Sequence, residues 1–379
     1  MSNRTADSYL SSPALRQTNA SAPKAQQLRA RFDAPAPLTV GVEDELMLLD
    51  PRTLDLAPLA PDVLAACAGD RRFKLELPAS QLEIVLPPLA GADEAARELA
   101  AARAALAERA APLAVPAALA LHPFAATEGP LNVGARYAQI ERLYGPVARR
   151  QLLCALQAHV AVRGADRALA VHDALRGHLP ALFALAAAAP FHGGRDTGYA
   201  SFRAEVADLL PRHGIPPALG SWEAYARELR ALPEPGHWWW DVRPHVLHGT
   251  LEVRVPDAQA SVEDAEAIIA VVHALAAWLA ARHDAGERLG VPPTDVLAAE
   301  RAAAARDGLR SPAGERLSAL LDELEPVAAG LGGARGLARA RAIVAAGGAP
   351  DEHRALAAAG GLHGLVAELA ARFARARAG

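Results

Sequence analysis

Cysteine is scarce: the 379-residue chain has two, Cys67 and Cys154, both in apolar surroundings. Two such residues cannot build a disulfide framework or a cysteine zinc site, and they fit a reducing cytoplasm. No basic block interrupts the mixture of arginine and acids, and the formal net charge is −4. A nucleic-acid-binding face is therefore not expected. Residues 1–36 contain no apolar core of the kind a secretory signal needs. Their Ser, Ala, Pro, Asn and Gln cannot bury enough surface to order themselves, so this segment reads as a flexible tail. The longest apolar helical run, "AIIAVVHALAAWLA" at 267–280, is shorter than the roughly 20 residues of a membrane span and contains His273. No membrane partner is expected. A P-loop, a dinucleotide fingerprint and a nucleophile elbow are all missing; "LGGARG" at 331–336 follows a helical pattern instead of opening one. If ATP binds, acids and metal ions on a sheet must hold it.

What is present is a globular composition, 52% hydrophobic and 22% charged, with four alternating stretches that read as strands. They are "TVGVEDELMLL" (39–49), "FKLELPASQLEIVLP" (73–87), "LLCALQAHVAV" (152–162) and "GTLEVRVPD" (249–257). Period two sets Glu43 with Glu45, Gln81 with Glu83, Gln157 with His159, and Glu252 with Arg254. The opposite faces, such as Leu82/Ile84/Leu86 and Leu251/Val253/Val255, suit a core. Between the strands lie alanine-rich helices, at about 93–109 and 135–150. Ser261 with Asp264 reads as an N-terminal cap for a helix running to about His283. Residues 291–379 are helical in pattern, broken at "LGGARG" and "AAGGAPDE". Long connections between strands predict an α+β fold, a largely antiparallel sheet covered by helices. A single domain over 37–379 is expected, its sheet mainly within 38–290.

A lone surface glutamate is usually just solvated, but here the pattern recurs on four segments. Two carboxylates ~5 Å apart repel by roughly 3 kcal/mol at an effective dielectric near 20. A face collecting Glu43, Glu45, Glu83 and Glu252 needs cations, and hard ions such as Mg²⁺ or Mn²⁺ suit carboxylate oxygens. Metal-lined clefts of this kind serve phosphate chemistry.

At these residues the chain resembles the type 2 glutamate–cysteine ligases, also described as YbdK-like carboxylate–amine ligases. The resemblance rests on "VGVEDELMLLD", "SQLEIVLPP" (80–88), "ARRQLLC" (148–154), "GRDTGYASFR" (194–203), "WDVRPH" (240–245) and "TLEVRVPDAQASVEDAEA" (250–267), in the family's order. It implies a glutamine-synthetase-like catalytic sheet and an ATP-dependent, ADP-forming ligase that makes an amide or peptide bond through an acyl phosphate. Weak glutamate–cysteine ligation is the default activity, and the partners are small molecules, an amino-acid carboxylate and an amine. A cytoplasmic homodimer is implied as well. Carried over by residue, Glu43 and Glu45 divide between two metal sites, and Glu76 with Glu83 supplies the first. Glu252 is a metal ligand, and Arg254 is the catalytic, phosphate-binding guanidinium. His159 belongs to the nucleotide end, and Arg150 is either a phosphate contact or a plain salt bridge. Arg195, Thr197, Tyr199 and Arg203 form the substrate loop, while Asp241 and Arg243 organise the turn before the catalytic strand.

The chain also departs from the family pattern. Gln157 stands where a metal-binding histidine is usual, and its amide oxygen is expected on the second metal. "LAAAAPF" (185–191) lacks the usual polar residues, and Glu300-Arg301-Ala302 replaces an Asn-Arg-Trp segment. The alternative function is a catalytically weak or inactive relative that binds nucleotide or a partner protein.

Overall fold

The computed structural model describes residues 23–34, 38–232 and 238–375. Residues 1–22, 35 and 36 of the expected tail lie outside the described residues. The rest of that segment differs from expectation, because Ala25–Asp33 forms a helix. Leu28 and Phe32, one turn apart, give it an apolar edge. Both are fully buried, and the Phe32 and Trp222 ring centroids lie 4.8 Å apart.

The strands are β1 (Val40–Leu49), β2 (Phe73–Leu75), β3 (Gln81–Val85), β4 (Val115–Ala117), β5 (Leu156–Val160), β6 (Phe191–His192), β7 (Arg195–Asp196), β8 (Val242–Pro244) and β9 (Leu251–Val253). Seven of them build one sheet in the order β2-β3-β1-β5-β9-β8, with β4 beside β1, and β6 and β7 form a separate hairpin. Every pairing within these strands is antiparallel. The expected α+β architecture is therefore the observed one.

The stretch 73–87 is two strands, not one. The Gln81 N–H donates to the Pro78 carbonyl at 3.1 Å, closing a turn, and Pro78 has no N–H with which to continue a ladder. Glu76 sits at the entry to that turn. The expected helix over 135–150 is likewise split, into Ala135–Tyr144 and Pro146–Arg149, because Gly145 adopts φ +56° between them.

One face of the sheet is oily. Val42, Leu46, Leu48, Leu82, Ile84, Ala158, Val160, Leu251 and Val253 are all essentially inaccessible to solvent. At about 1.5–3 kcal/mol for each large aliphatic side chain, this face drives the sheet onto its helices. The central helix is Val262–Asp284, capped by Ser261, whose Oγ accepts from the Asp264 N–H at 3.1 Å. It is longer than the apolar run suggests, and by length and composition it could cross a membrane. Yet 83% of its apolar window is buried within the protein, and His273 finds a partner in the Leu38 carbonyl at 2.7 Å. It is a core helix. Beyond it, Thr294–Asp307, Leu317–Gly330, Ala334–Ala346 and Ala349–Ala374 complete the helical region. Both expected breaks occur there, at Gly332 (φ +66°) and Gly347 (φ +86°). Cys67 and Cys154 are buried free thiols.

Candidate active site

The polar face of the sheet is a grid fixed by register. Lys74, Glu83 and Glu45 lie in one row across β2, β3 and β1. Glu43 pairs with Gln157 across β1 and β5. Gly41, His159, Glu252 and Arg243 form a third row across β1, β5, β9 and β8. Asp44, between the two outer acids, points the other way. It is wholly buried and held by the equally buried Arg103, with Nε and Nη2 at 2.9 and 3.0 Å from its two oxygens.

Within this grid the acids divide into two triads. The potential ligand atoms of Glu45, Glu76 and Glu83 lie within 4.8 Å of one another, and so do those of Glu43, His159 and Glu252. The two triads differ electrically. Burial, with the charge of Glu76 adding to it, pushes the Glu45 carboxyl up to about 8. Burial and neighbouring acids also raise Glu83 and, more weakly, Glu76. Burial also opposes charge on Glu252, but Arg243 and Arg254 outweigh it and hold the carboxyl well below its ordinary value. On Glu43 too burial is outweighed, by the neighbouring His159 and Arg254, and the carboxyl is held below its ordinary value.

The donor sets fit divalent ions. Glu45, Glu76 and Glu83 offer oxygen alone, as Mg²⁺ prefers. His159 Nδ1 is 2.9 Å from Thr250 Oγ1, while its buried Nε2 has no hydrogen-bond partner and lies 3.3 Å from Glu43 Oε1. With Nδ1–H donated to Thr250, the Nε2 lone pair faces carboxylates, an arrangement that calls for a cation between them.

Gln157 lies between the triads, and its placement differs from expectation. Its Nε2 donates to Glu45, and its Oε1 accepts from Arg254. The amide oxygen is thus turned to a guanidinium, and His159 is the side chain that joins an acid triad. Arg254 also donates to Glu252, so one guanidinium ties Gln157 to the second triad. Arg243, expected only to organise a turn, donates from Nε to Glu252 at 2.7 Å. Asp241 instead anchors Arg301 at 2.6 Å, so the altered segment at 300–302 still contributes a buried brace.

Among the described residues, the expected substrate loop makes no hydrogen bond to these acids, though Arg203 lies near enough for its charge to act on Glu45. Arg195 is exposed on the β6–β7 hairpin, Thr197 Oγ1 donates to the Pro190 carbonyl, and the Tyr199 ring packs edge-on to Phe202. Arg203 is buried and donates to Asp257 at 2.6 Å and to the Val255 carbonyl. Its role here is to hold the chain leaving β9. Arg150 pairs with Glu128 at 2.7 Å in partly exposed surroundings, which favours the salt-bridge alternative. A cavity of about 580 Å³ does open beside Glu45, Glu76 and Arg254, walled by Arg136, Gln151 and Trp239. Sequence reasoning did not single out those three walls, because helices and loops with no alternating pattern carry them.

The chain carries a largely antiparallel sheet with an acid-lined floor. It belongs to glutamate–cysteine ligase family 2, whose sequence profile matches residues 39–369. A provisionally named glutamate–cysteine ligase 2-3 of Rubrobacter xylanophilus is 39% identical over 349 residues, 84% of this chain and 95% of that protein. A glutamate–cysteine ligase of Haloferax volcanii is 38% identical over 263 residues, 66% of this chain and 73% of that one. Among solved structures, the glutamate–cysteine ligase of Francisella tularensis in complex with AMP shares the fold. Its TM-score is 0.69 at 13% identity, covering 90% of this chain and 89% of that one. A bifunctional glutathione synthetase of Pasteurella multocida gives 0.64 at 15% identity, covering 93% of this chain and 54% of that one.

Proposed function

We propose that the chain is an ATP-dependent, ADP-forming carboxylate–amine ligase, with glutamate and cysteine as its default substrates. The observation that carries this reading is the pair of triads on one sheet face, Glu45/Glu76/Glu83 and Glu43/His159/Glu252, with Arg254 between them. Each triad would hold one Mg²⁺ or Mn²⁺ ion, which supplies charge neutralisation for phosphoryl transfer. Arg254 steadies the negative charge on the phosphoryl group in flight, a preorganised role for a buried guanidinium. A substrate carboxylate oxygen bonds to the γ-phosphorus as the bond to ADP breaks. The amine then attacks the acyl carbon and phosphate leaves with the bonding pair. Arg136 and Gln151 line the cavity that would seat the substrates.

The test is ADP release from Mg-ATP with and without an acid and an amine, together with ¹⁸O-labelled carboxylate. A ligase requires both substrates and moves one label into phosphate. Release without either substrate, or unlabelled phosphate, removes the acyl-phosphate route. A second reading, a catalytically weak relative that binds nucleotide, is favoured by one observation. Gln157 has both ends of its amide committed to protein groups where a metal-binding histidine is usual.

A further inference from the structure

The polar face is unbalanced at one edge. Five carboxylates, Glu43, Glu45, Glu76, Glu83 and Glu252, share it with Lys74, Arg243 and Arg254 from the sheet and with Arg136 from the helix beside it. Arg243 and Arg254 are both taken up by Glu252. Lys74 is not taken up: it is exposed on β2 and makes no ion pair among the described residues. Its register partner is Glu83, so its side chain rises from the same face as the acids. From the opposite side of the sheet, the β8–β9 connection brings His248 over the second triad. The His248 ring is stacked on His245 at 4.3 Å and stands edge-on to His159 at 6.0 Å, and it is exposed.

We propose that Lys74 and His248 form a two-sided clamp for the polyphosphate tail of the nucleotide, closing over the floor that carries Glu43, His159 and Glu252. The inference rests on the ligase reading and extends it to residues outside the two triads. With a divalent ion on each triad the face carries an excess of positive charge, which a triphosphate neutralises. Lys74 and His248 thus flank the same face, Lys74 in the row of Glu83 and Glu45 and His248 beside His159. Lysine suits such a position because its ammonium is a compact point charge with three rotatable donors, able to follow a phosphate oxygen. It is one of only two lysines in a chain with 39 basic residues. The ordinary role of an edge-strand lysine, preventing edge-to-edge pairing, is less needed on a strand of three residues.

The experiment is equilibrium binding of ATP, ADP and AMP to the full chain in Mg²⁺, for the natural protein, Lys74→Met and His248→Gln. A charge-assisted contact to phosphate is worth about tenfold or more in affinity, and a neutral imidazole contact roughly threefold. Lys74→Met should therefore weaken ATP and ADP by about tenfold and leave AMP within twofold. It should also flatten the salt dependence of ATP binding. His248→Gln should show the same selectivity with the smaller loss. Equal losses for all three nucleotides, or none for ATP, overturn the clamp while leaving the ligase reading standing. If the natural protein binds no nucleotide at all, the ligase reading itself falls and the clamp falls with it. Unchanged nucleotide binding with new aggregation in Lys74→Met assigns the lysine to edge protection.

Discussion

Gln157 shows how a single side chain can tie two acid clusters together. Its amide donates to Glu45 of one triad and accepts from Arg254, which serves the other. Replacing it by leucine leaves a buried carboxyl and a partly buried guanidinium each short of a partner. Gln157→Leu should then lower turnover at least tenfold while the Mg²⁺ concentration for half-activity barely moves. A large rise in that concentration would instead make Gln157 a ligand. Its neighbours give cleaner outcomes. Glu43→Gln and Glu252→Gln should each reduce ATP turnover by ~10²-fold or more with the fold retained. Circular dichroism and ADP release on the same sample check this, and full activity in either variant would take that residue off the metal floor. Arg254→Lys keeps the charge but loses the planar fork. Turnover should fall by ~10²-fold with ATP affinity changed little, and an unaltered turnover number would leave Arg254 as a salt-bridge partner only.

At the scale of the element, β1 carries three consecutive acids with two different destinies. Glu43 and Glu45 face the floor, while Asp44 is locked to Arg103 on the opposite side, where Arg103 also donates to the Gln259 carbonyl at 2.9 Å. Breaking that pair from one side strands a buried charge, so Arg103→Met should cost about 3–5 kcal/mol of stability. Adding Asp44→Leu should recover most of the loss, measured as urea midpoints. If the double variant is no more stable than the single one, the pair is stabilising in its own right. Alternation made the floor legible in the sequence, because a period of two assigns Glu43, Glu45, Glu83, His159, Glu252 and Arg254 to one face without a structure. Asp44 and Arg103 were not legible, since their pairing spans 59 residues from a strand to a helix. Glu76 was reachable only by resemblance: the Pro78 turn, not alternation, carries it to Glu83. The helix Ala25–Asp33 was obscured by its polar composition, although Leu28 and Phe32 had helical spacing. The loop at 195–203 shows the limit of a motif, which can mark a segment without saying that Arg203 donates to Asp257.

Over the whole molecule, histidines outside the active site contribute to how the fold responds to acid. Burial, with Arg282 and Arg316 adding to it, pushes His178 down to about 4, beside Trp278 at 6.0 Å between ring centroids. Burial also pushes His353 down to about 4, within the helix Ala349–Ala374, despite the nearby charge of Glu352. In the unfolded chain both should titrate near the ordinary histidine value of about 6.5. At these two sites the folded state therefore binds fewer protons than the unfolded state between those values. The contribution of these histidines to stability is complete above about pH 6.5 and is lost as the pH falls towards 4. Each site in that window removes up to about 1.4 kcal/mol per pH unit, before most carboxylates protonate. Glu45, Glu76 and Glu83, whose raised carboxyls bind extra protons in the folded state, pull the other way in this window, so the histidine share is read as a difference between two proteins. Replacing both residues by glutamine removes the proton-binding difference, so the double variant, although less stable at pH 7, should show a shallower decline. Parallel curves for the two proteins would mean that acid sensitivity arises elsewhere, from groups that do not include His178 or His353.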